Sequence, residues 1–166
     1  DNAAEGRTVG FEADLQWQPS DALQLYANVG LLNAEFTNFY TLQTGDTELS
    51  NLDGRAQAHA PAYTLAVGGI FRADSGLFAR IDVSARDDFF FDVSNNQKSE
   101  PVQIVNARVG YESERWTAEL WARNVFDETY AVRGFCFGNE PPVFENKLYI
   151  RQGDPRQVGI TFELGF

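Results

Sequence analysis

The chain closes with the sequence GDPRQVGITFELGF at residues 153–166, in which apolar and polar residues alternate. With a period of two, one face of this stretch is entirely apolar and consists of Val158, Ile160, Phe162, Leu164 and Phe166. A strand that reaches the last residue needs a neighbour for its backbone and an apolar cover for its side chains. The pattern therefore predicts a paired β-strand covered by either a protein core or a lipid bilayer.

Composition limits the possible classes of protein. The chain has 166 residues, of which 43% are hydrophobic, enough for one domain with a core. It contains no continuous apolar run of about 18 residues, which excludes a transmembrane helix. The net charge of -11 argues against nucleic acid as a partner. Because the chain begins with Asp1, lacks methionine and shows no secretory signal, we expect a mature or excised piece.

Seven segments in all show the alternation, at residues 9–18, 23–31, 63–71, 77–86, 105–111, 116–123 and 158–166. One face of these segments is almost purely aliphatic or aromatic. The other face carries polar and charged residues, namely Glu12, Asp14, Asn28, Arg80, Asp82, Arg108, Glu119, Arg123 and Glu163. The sequence predicts an all-β fold, an antiparallel up-and-down meander sheet of about seven strands.

The connections between these segments alternate in length. Turns of roughly two to four residues follow the first, third and fifth segments, and polar loops of roughly 13 to 27 residues follow the second, fourth and sixth. All long loops therefore lie at one end of the sheet, as in outer-membrane barrels. Aromatic residues at two levels predict interfacial girdles: Trp17, Trp116 and Phe166 near the turns, and Phe36, Phe39, Tyr40, Phe89, Phe90, Phe91 and Phe126 near the loops. The core of a soluble β-domain is the alternative reading of these aromatics.

Residues 124–166 contain the motif NVFDETY, a long loop, the motif GDPRQVG and a final strand that ends in Phe. This arrangement resembles the C-terminus of TonB-dependent outer-membrane transporters, and WQPSDALQLYANVGLLNAEFTNF at residues 17–39 is similar to the same family. The resemblance implies a barrel of 22 strands closed by an N-terminal plug. It also implies import of a scarce ligand, such as a ferric siderophore, haem or cobalamin, with energy supplied through TonB.

The chain is too short to contain the plug, the TonB-binding segment or the earlier strands of such a barrel. An open sheet would leave unpaired backbone groups in hydrocarbon, at several kcal/mol each. We therefore expect residues 1–166 to be the C-terminal part of a receptor barrel in the outer membrane of a Gram-negative bacterium. Its expected partners are outer-membrane lipid, the remaining barrel strands and plug of its own protein, and the TonB complex through the absent N-terminal part.

The resemblance also assigns a role to the last strand. Outer-membrane proteins end in a pattern that the barrel-assembly machinery reads, and Gln157, Gly159, Phe162, Leu164 and Phe166 match this pattern. The machinery can recognise such a strand by pairing with its edge. The alternative is that Phe166 is only a lipid-facing anchor.

Candidate transport residues fall in two places. Arg108, Glu119, Arg123 and Glu163 are expected to face the plug, with an ordinary solvated face as the alternative. Ligand capture is expected in the long loops, where charge and stacking suit an anionic aromatic chelate. The candidates there are Arg86, Phe89, Phe90, Arg133, Phe135 and Tyr149, and the alternative for each is loop packing or girdle.

Reactive-looking residues do not form a recognisable site. His59 has no second histidine, so a histidine pair for a metal cannot be built within the chain. Ser50, Asn51 and Asp53 lie near it in sequence but in no nucleophile motif, so we expect no enzyme and no cofactor. Cys136 is the only cysteine, which excludes an internal disulfide. We expect it to fill space in a loop or to bridge to the absent part of the protein.

Two other classes of protein stay open. A small complete barrel of about eight strands, with a structural or adhesive role, would need an unrecognised strand within residues 134–153. A soluble β-sandwich that binds a ligand would show the same alternation without the separation of long and short connections.

Overall fold

The computed structural model describes residues 4–43 and 45–165. The described residues form eleven strands: β1 (Glu5–Ser20), β2 (Leu23–Asn38), β3 (Tyr40–Leu42), β4 (Leu49–Asn51), β5 (Tyr63–Arg72), β6 (Leu77–Arg86), β7 (Val102–Glu112), β8 (Trp116–Arg123), β9 (Ala131–Gly138), β10 (Asn146–Gln152) and β11 (Gln157–Leu164). In this part of the chain no helix is long and apolar enough to cross a membrane.

Seven strands form one antiparallel sheet in the order β1-β2-β5-β6-β7-β8-β11, which confirms the predicted meander. The first two strands have 16 residues each and extend beyond the predicted segments. Their pairing continues from Phe11 opposite Leu31 to Glu5 opposite Asn38. In β1 the backbone pairing persists beyond the alternation, through residues 5–8, which form no apolar face. In β2 the apolar residues change face after Leu31, because Leu32, Ala34 and Phe36 lie on the opposite side of the strand.

The register confirms the two predicted faces. One continuous row crosses all seven strands through Trp17, Leu25, Gly69, Ile81, Ala107, Ala122 and Val158. No second layer covers this apolar face within the described residues, and Trp17, Val158 and Ile160 are 58%, 64% and 79% exposed. A soluble sandwich would bury such a face, because an exposed apolar patch of this extent normally marks an interaction surface. The cover must therefore come from outside the described residues.

The long connections contain structure that the alternation did not predict. The strands β3 and β4 form one small hairpin, and β9 and β10 form another of seven to eight residues a strand. Residues 134–153 thus hold strands, but these pair with each other and add no eighth strand to the main sheet as described. This arrangement gives no support to the small complete barrel.

The prediction of an aromatic girdle near the loops was wrong for two residues. Phe89 and Phe91 are only 5% and 4% exposed and lie inside the packed loops. Phe126, at 68% exposure, remains available to an interface. Near the turns, Trp116 stacks on Phe162 with ring centroids 5.9 Å apart, while Phe166 lies outside the described residues.

Candidate ligand-binding loops

The β9–β10 hairpin presents six cationic or aromatic side chains on one face. Its register pairs Arg133 with Arg151, Phe135 with Tyr149 and Phe137 with Lys147. Because directly opposite residues share a face of a two-stranded sheet, these three pairs form a continuous strip. Sequence reasoning named three of its members, Arg133, Phe135 and Tyr149, and the same period of two along each strand could have supplied the rest.

The aromatic members of the strip pack against one another. The ring of Phe135 stacks on Tyr149 at 5.7 Å and on Phe137 at 5.2 Å, with interplanar angles of 18° and 22°. Phe137 and Tyr149 approach to 4.9 Å. We call Phe135, Phe137 and Tyr149 the aromatic ladder. Phe135 and Phe137 are 45% and 40% exposed, so the ladder offers ring surface to a ligand.

The charges around the ladder favour an anion. Arg133 and Arg151 lie at one end, and neither makes an ion pair within the described part of the chain. At the other end Lys147 donates to the Glu140 carboxylate. The Tyr149 hydroxyl also donates to Glu140, at 3.3 Å. Desolvation and this carboxylate raise the pKa of Tyr149, so the phenol is a hydrogen-bond donor at neutral pH.

The opposite face of the hairpin is occupied by packing. Gly134 lies on the ring of Phe91, and a Cβ at this glycine would be 2.5 Å from a ring atom. Cys136 lies half-buried on the same face, where burial, and then the Asp92 carboxylate, raise the pKa of its thiol. A raised pKa disfavours the reactive thiolate, which agrees with a space-filling role. The ladder face is therefore the face of the hairpin that is free to bind.

The other predicted ligand residues lie at the end of β6 and in the loop that leads to β7, where they hold the loops together. Phe89 packs edge-on against Phe91 at 5.7 Å and lies 5.0 Å from the ring of His59. The Arg86 guanidinium lies 4.9 Å from the centroid of the Phe89 ring and donates to the carbonyl of Ala131 at the base of β9. These contacts fit the alternative of loop packing for Arg86 and Phe89, and a structural role for His59.

Phe90 lies between two cations that belong to different segments. Arg55 approaches its ring centroid to 4.2 Å and Lys98 to 4.5 Å. Lys98 also forms a 3.0 Å ion pair with Asp88. Arg55 was not predicted, because nothing in the sequence around it marks a residue that acts across about 40 positions.

The predicted plug-facing residues share the polar face of the main sheet. Arg108 and Glu119 form an ion pair at 3.6 Å. Arg123 lies 5.3 Å from the ring centroid of Trp121, and Glu163 is exposed. Arg108, Glu119 and Arg123 line an open concavity of about 500 Å³, together with Arg80 and Asp82. Their role toward a plug remains a prediction.

A polar network beside this concavity was not predicted. The Tyr26 hydroxyl donates to Asp82 at 2.6 Å, and the Arg80 guanidinium donates to both oxygens of the same carboxylate at 2.8 and 2.9 Å. The three residues come from β2 and β6, the two strands that flank β5, and Gly68 of β5 lies between Tyr26 and Asp82. Only the register shows this cluster, because Tyr26 and Asp82 are 56 residues apart.

The motif residues at the end of β8 form a clasp with the start of β11. The Asn124 side chain is 4% exposed, donates to the carbonyls of Glu128 and Asp154, and accepts from the Glu128 amide. The Arg156 amide donates to the Asp127 carboxylate at 2.8 Å. The two halves of the motif, NVFDETY and GDPR, thus bind each other directly. We call these contacts the motif clasp.

Four of the five predicted assembly residues lie on β11 at the edge of the sheet. Gln157 pairs with Arg123 of β8, and Gly159 lies under the ring of Trp121, which a Cβ would approach to 2.3 Å. Phe162 and Leu164 lie on the apolar face and are 61% and 59% exposed. Recognition of this strand by the assembly machinery remains a prediction, and Phe166 lies outside the described residues.

Among the described residues no group of three or more His, Cys, Asp or Glu side chains could hold a metal ion.

No family model matches the chain. The pesticin receptor of Yersinia pestis is 24% identical over 169 residues, which cover 99% of this chain and 23% of the receptor. The crystal structure of the ferric yersiniabactin uptake receptor FyuA from Yersinia pestis matches with a TM-score of 0.77 and 21% identity, over 99% of this chain and 24% of that one.

Two further receptors show the same fold. The siderophore receptor PiuA from Acinetobacter baumannii has a TM-score of 0.75 at 17% identity, over 97% of this chain and 22% of its own. The ferric-catecholate import receptor Fiu from E. coli K12 has a TM-score of 0.72 at 16% identity, over 98% and 21%. The chain spans about a quarter of the length of the receptors it matches. These matches confirm the likeness to TonB-dependent receptors and the fold as a barrel segment of such proteins.

Proposed function

We propose that the chain is the C-terminal barrel segment of an outer-membrane active transporter that imports a scarce ligand such as a ferric siderophore. The aromatic ladder with its flanking arginines is the observation that carries this proposal. Ferric chelates of aromatic siderophores are flat in part and anionic, so they suit stacking on exposed rings and pairing with guanidinium groups. The uptake and siderophore receptors that share the fold support the same class of ligand.

The apolar face of the main sheet is proposed to contact outer-membrane lipid. A face with Ile160 79% exposed and Val158 64% exposed is stable against acyl chains and unfavourable in water. The open edges at β1 and β11 are proposed to pair with earlier strands of the same protein, since unpaired edges are costly in hydrocarbon. The polar face would then line a lumen that holds the plug, with TonB acting through the part of the protein outside this chain.

The proposal is tested by ligand binding to the native gene product, purified in detergent from the outer membrane. The probes are ferric complexes of a catecholate, a phenolate and a hydroxamate siderophore. Binding of each complex is measured by the quenching of tryptophan fluorescence. We expect the aromatic, anionic complexes to bind more tightly than the hydroxamate. Each stacking contact is worth about 1 kcal/mol, so Phe135→Ala and Tyr149→Ala should each weaken binding roughly fivefold.

The matched control is Val143→Ala at the hairpin tip, which removes an exposed apolar side chain outside the ladder. It should leave the affinity unchanged. Equal affinities for all three complexes, or ladder variants that bind like wild type, would refute the assignment of the ladder as the capture surface. Iron-limited growth on the bound complex then tests import itself.

A further inference from the structure

Arg55 connects the main sheet to a turn that it does not adjoin in sequence. Its own backbone is fixed to β2, because the Phe36 amide donates to the Arg55 carbonyl at 3.0 Å and the Gly54 amide donates to the Phe36 carbonyl at 2.8 Å. Ala56 continues this attachment through a bridge to Glu35. The position of the Arg55 Cα is therefore set by the sheet.

The Arg55 side chain binds three backbone carbonyls of the turn at residues 92–95. The guanidinium donates to the carbonyls of Asp92 and Val93, both at 3.1 Å, and to that of Asn95. Its plane also lies 4.2 Å from the centroid of the Phe90 ring. Burial lowers the pKa of Arg55, but not enough to discharge a guanidinium at neutral pH. One side chain thus supplies the hydrogen bonds of three carbonyl oxygens that converge on it.

Hydrogen bonds within the turn fix its shape, and the turn in turn contacts the β9–β10 hairpin. The Asp92 carboxylate accepts hydrogen bonds from the Ser94 and Asn95 amides, each at 2.8 Å. The Asn95 side-chain oxygen then accepts a hydrogen bond from Asn146, the first residue of β10, at 3.3 Å. Directly before the turn, Phe91 supports the hairpin at Gly134. A continuous path of contacts therefore runs from β2 through Arg55 and the turn to the back of the β9–β10 hairpin.

We propose that Arg55 is a positioning residue for ligand capture, which holds the ladder face in its binding orientation through the turn at residues 92–95. This inference rests on the proposed function of the ladder. Arg55 contacts the back of the hairpin only through the turn, so its effect on the ligand is indirect. Lysine cannot replace it, because a single ammonium lacks the planar fork that reaches three separated carbonyls.

The test uses the native gene product with Cys136→Ala as the background. Arg55→Met keeps an apolar stem but removes every donor, and Arg55→Lys keeps only the charge. The matched control is Arg72→Met, an exposed arginine at the opposite end of the sheet. Hydrogen exchange is followed in residues 131–152 and, as an internal reference, in β5 and β6. The binding probe is the ferric complex that wild type binds most tightly.

We expect Arg55→Met and Arg55→Lys to speed exchange across the hairpin by about tenfold and to weaken binding by a similar factor. Exchange in β5 and β6 and the heat-modifiable mobility of the barrel should not change. Joining Arg55→Cys to Val93→Cys with a short bifunctional thiol reagent replaces the lost connection between the sheet and the turn, and should restore both the protection and the affinity. If Arg55→Met weakened binding only by destabilising the sheet, this link would not restore the affinity.

Two results would overturn the proposal: hairpin exchange that stays at the wild-type rate in Arg55→Met, or a crosslink that forms without restoring affinity. If Arg55→Met does not reach the membrane, Asn146→Ala breaks the same path at an exposed position and should loosen the hairpin in the same direction. If wild type binds no ferric complex, the proposed function fails. The exchange measurements then still decide whether Arg55 holds the hairpin.

Discussion

Removal of the Asn124 side chain should open the motif clasp while the sheet stays formed. The side chain is 4% exposed and makes three hydrogen bonds, two as donor and one as acceptor. At about 1 kcal/mol for each bond, a variant without them should lose about 3 kcal/mol of local stability. Asn124 also has a φ of 49°, which costs a residue with a Cβ other than asparagine or aspartate about 1 kcal/mol more.

Two substitutions separate these contributions. Asn124→Gly removes the hydrogen bonds and tolerates the positive φ, so the local opening of the clasp should become roughly 150-fold more frequent. Asn124→Ala loses the bonds and adds the backbone strain, which gives an increase of roughly 900-fold. The difference between the two variants measures the strain, and the glycine variant measures the bonds.

The assay is amide hydrogen exchange of the native gene product in detergent. The informative amides are those of Glu128 and Arg156, which donate to Asn124 and Asp127 within the clasp. The Gly153 amide, which donates to the Tyr130 carbonyl and so also joins the two motifs, is the third. Amides in the middle of β6 serve as the reference and should exchange at the wild-type rate. An increase of less than tenfold in Asn124→Gly would refute the reasoning, because the clasp would then be held by something other than this side chain.

Three further predictions concern the faces of the molecule. Ile160→Lys places a charge on the apolar face and should cost about 2 to 4 kcal/mol on insertion, whereas Thr161→Lys, opposite Glu119 on the polar face, should insert normally; equal yields of heat-modifiable protein would contradict this. Gly134→Ala should displace the hairpin and weaken siderophore binding, since the added methyl meets the ring beneath it; unchanged affinity would show that the hairpin is not supported there. Glu140→Gln should lower the raised pKa of Tyr149 toward its ordinary value of about 10, seen by ultraviolet titration of the phenol. Because that pKa is raised in the folded hairpin, the contact with Glu140 is present at neutral pH and is lost as the pH rises through it.

The main sheet was predictable because each of its strands repeats one simple rule. Alternation places each residue of the row from Trp17 to Val158 on the apolar face, and the register shows that these residues lie side by side. Alternation cannot mark a part of a strand that has no apolar side chains. The predicted first strand therefore began at Val9, whereas the observed one begins at Glu5. The extension of β1 has no apolar face, whereas in β2 the apolar residues Leu32, Ala34 and Phe36 lie on the other face, so the single-face pattern stops at Leu31.

The loop architecture was not predictable for a different reason. Its contacts join residues that are distant in sequence, as Arg55 joins Asn95 and Arg86 joins Ala131. Each depends on where the sheet places the ends of its strands, and a single sequence holds no periodic signal for that placement. The aromatic ladder is the exception, because Phe135 and Phe137 already alternate along one strand. The buried position of Phe89 and Phe91 is the matching error: three consecutive phenylalanines do not reveal which of them face inward.

The structure also separates the residues that carry the family likeness from those proposed to choose the ligand. The motifs NVFDETY and GDPR flank the β9–β10 hairpin in sequence, and the motif clasp brings them together in space. The clasp fixes the base of the hairpin regardless of what the hairpin displays, so the ladder can change its side chains without disturbing β8 or β11. A likeness in these motifs is therefore evidence about the barrel. The ligand has to be argued from Arg133, Phe135 and Tyr149, which lie between the motifs and contribute nothing to the clasp.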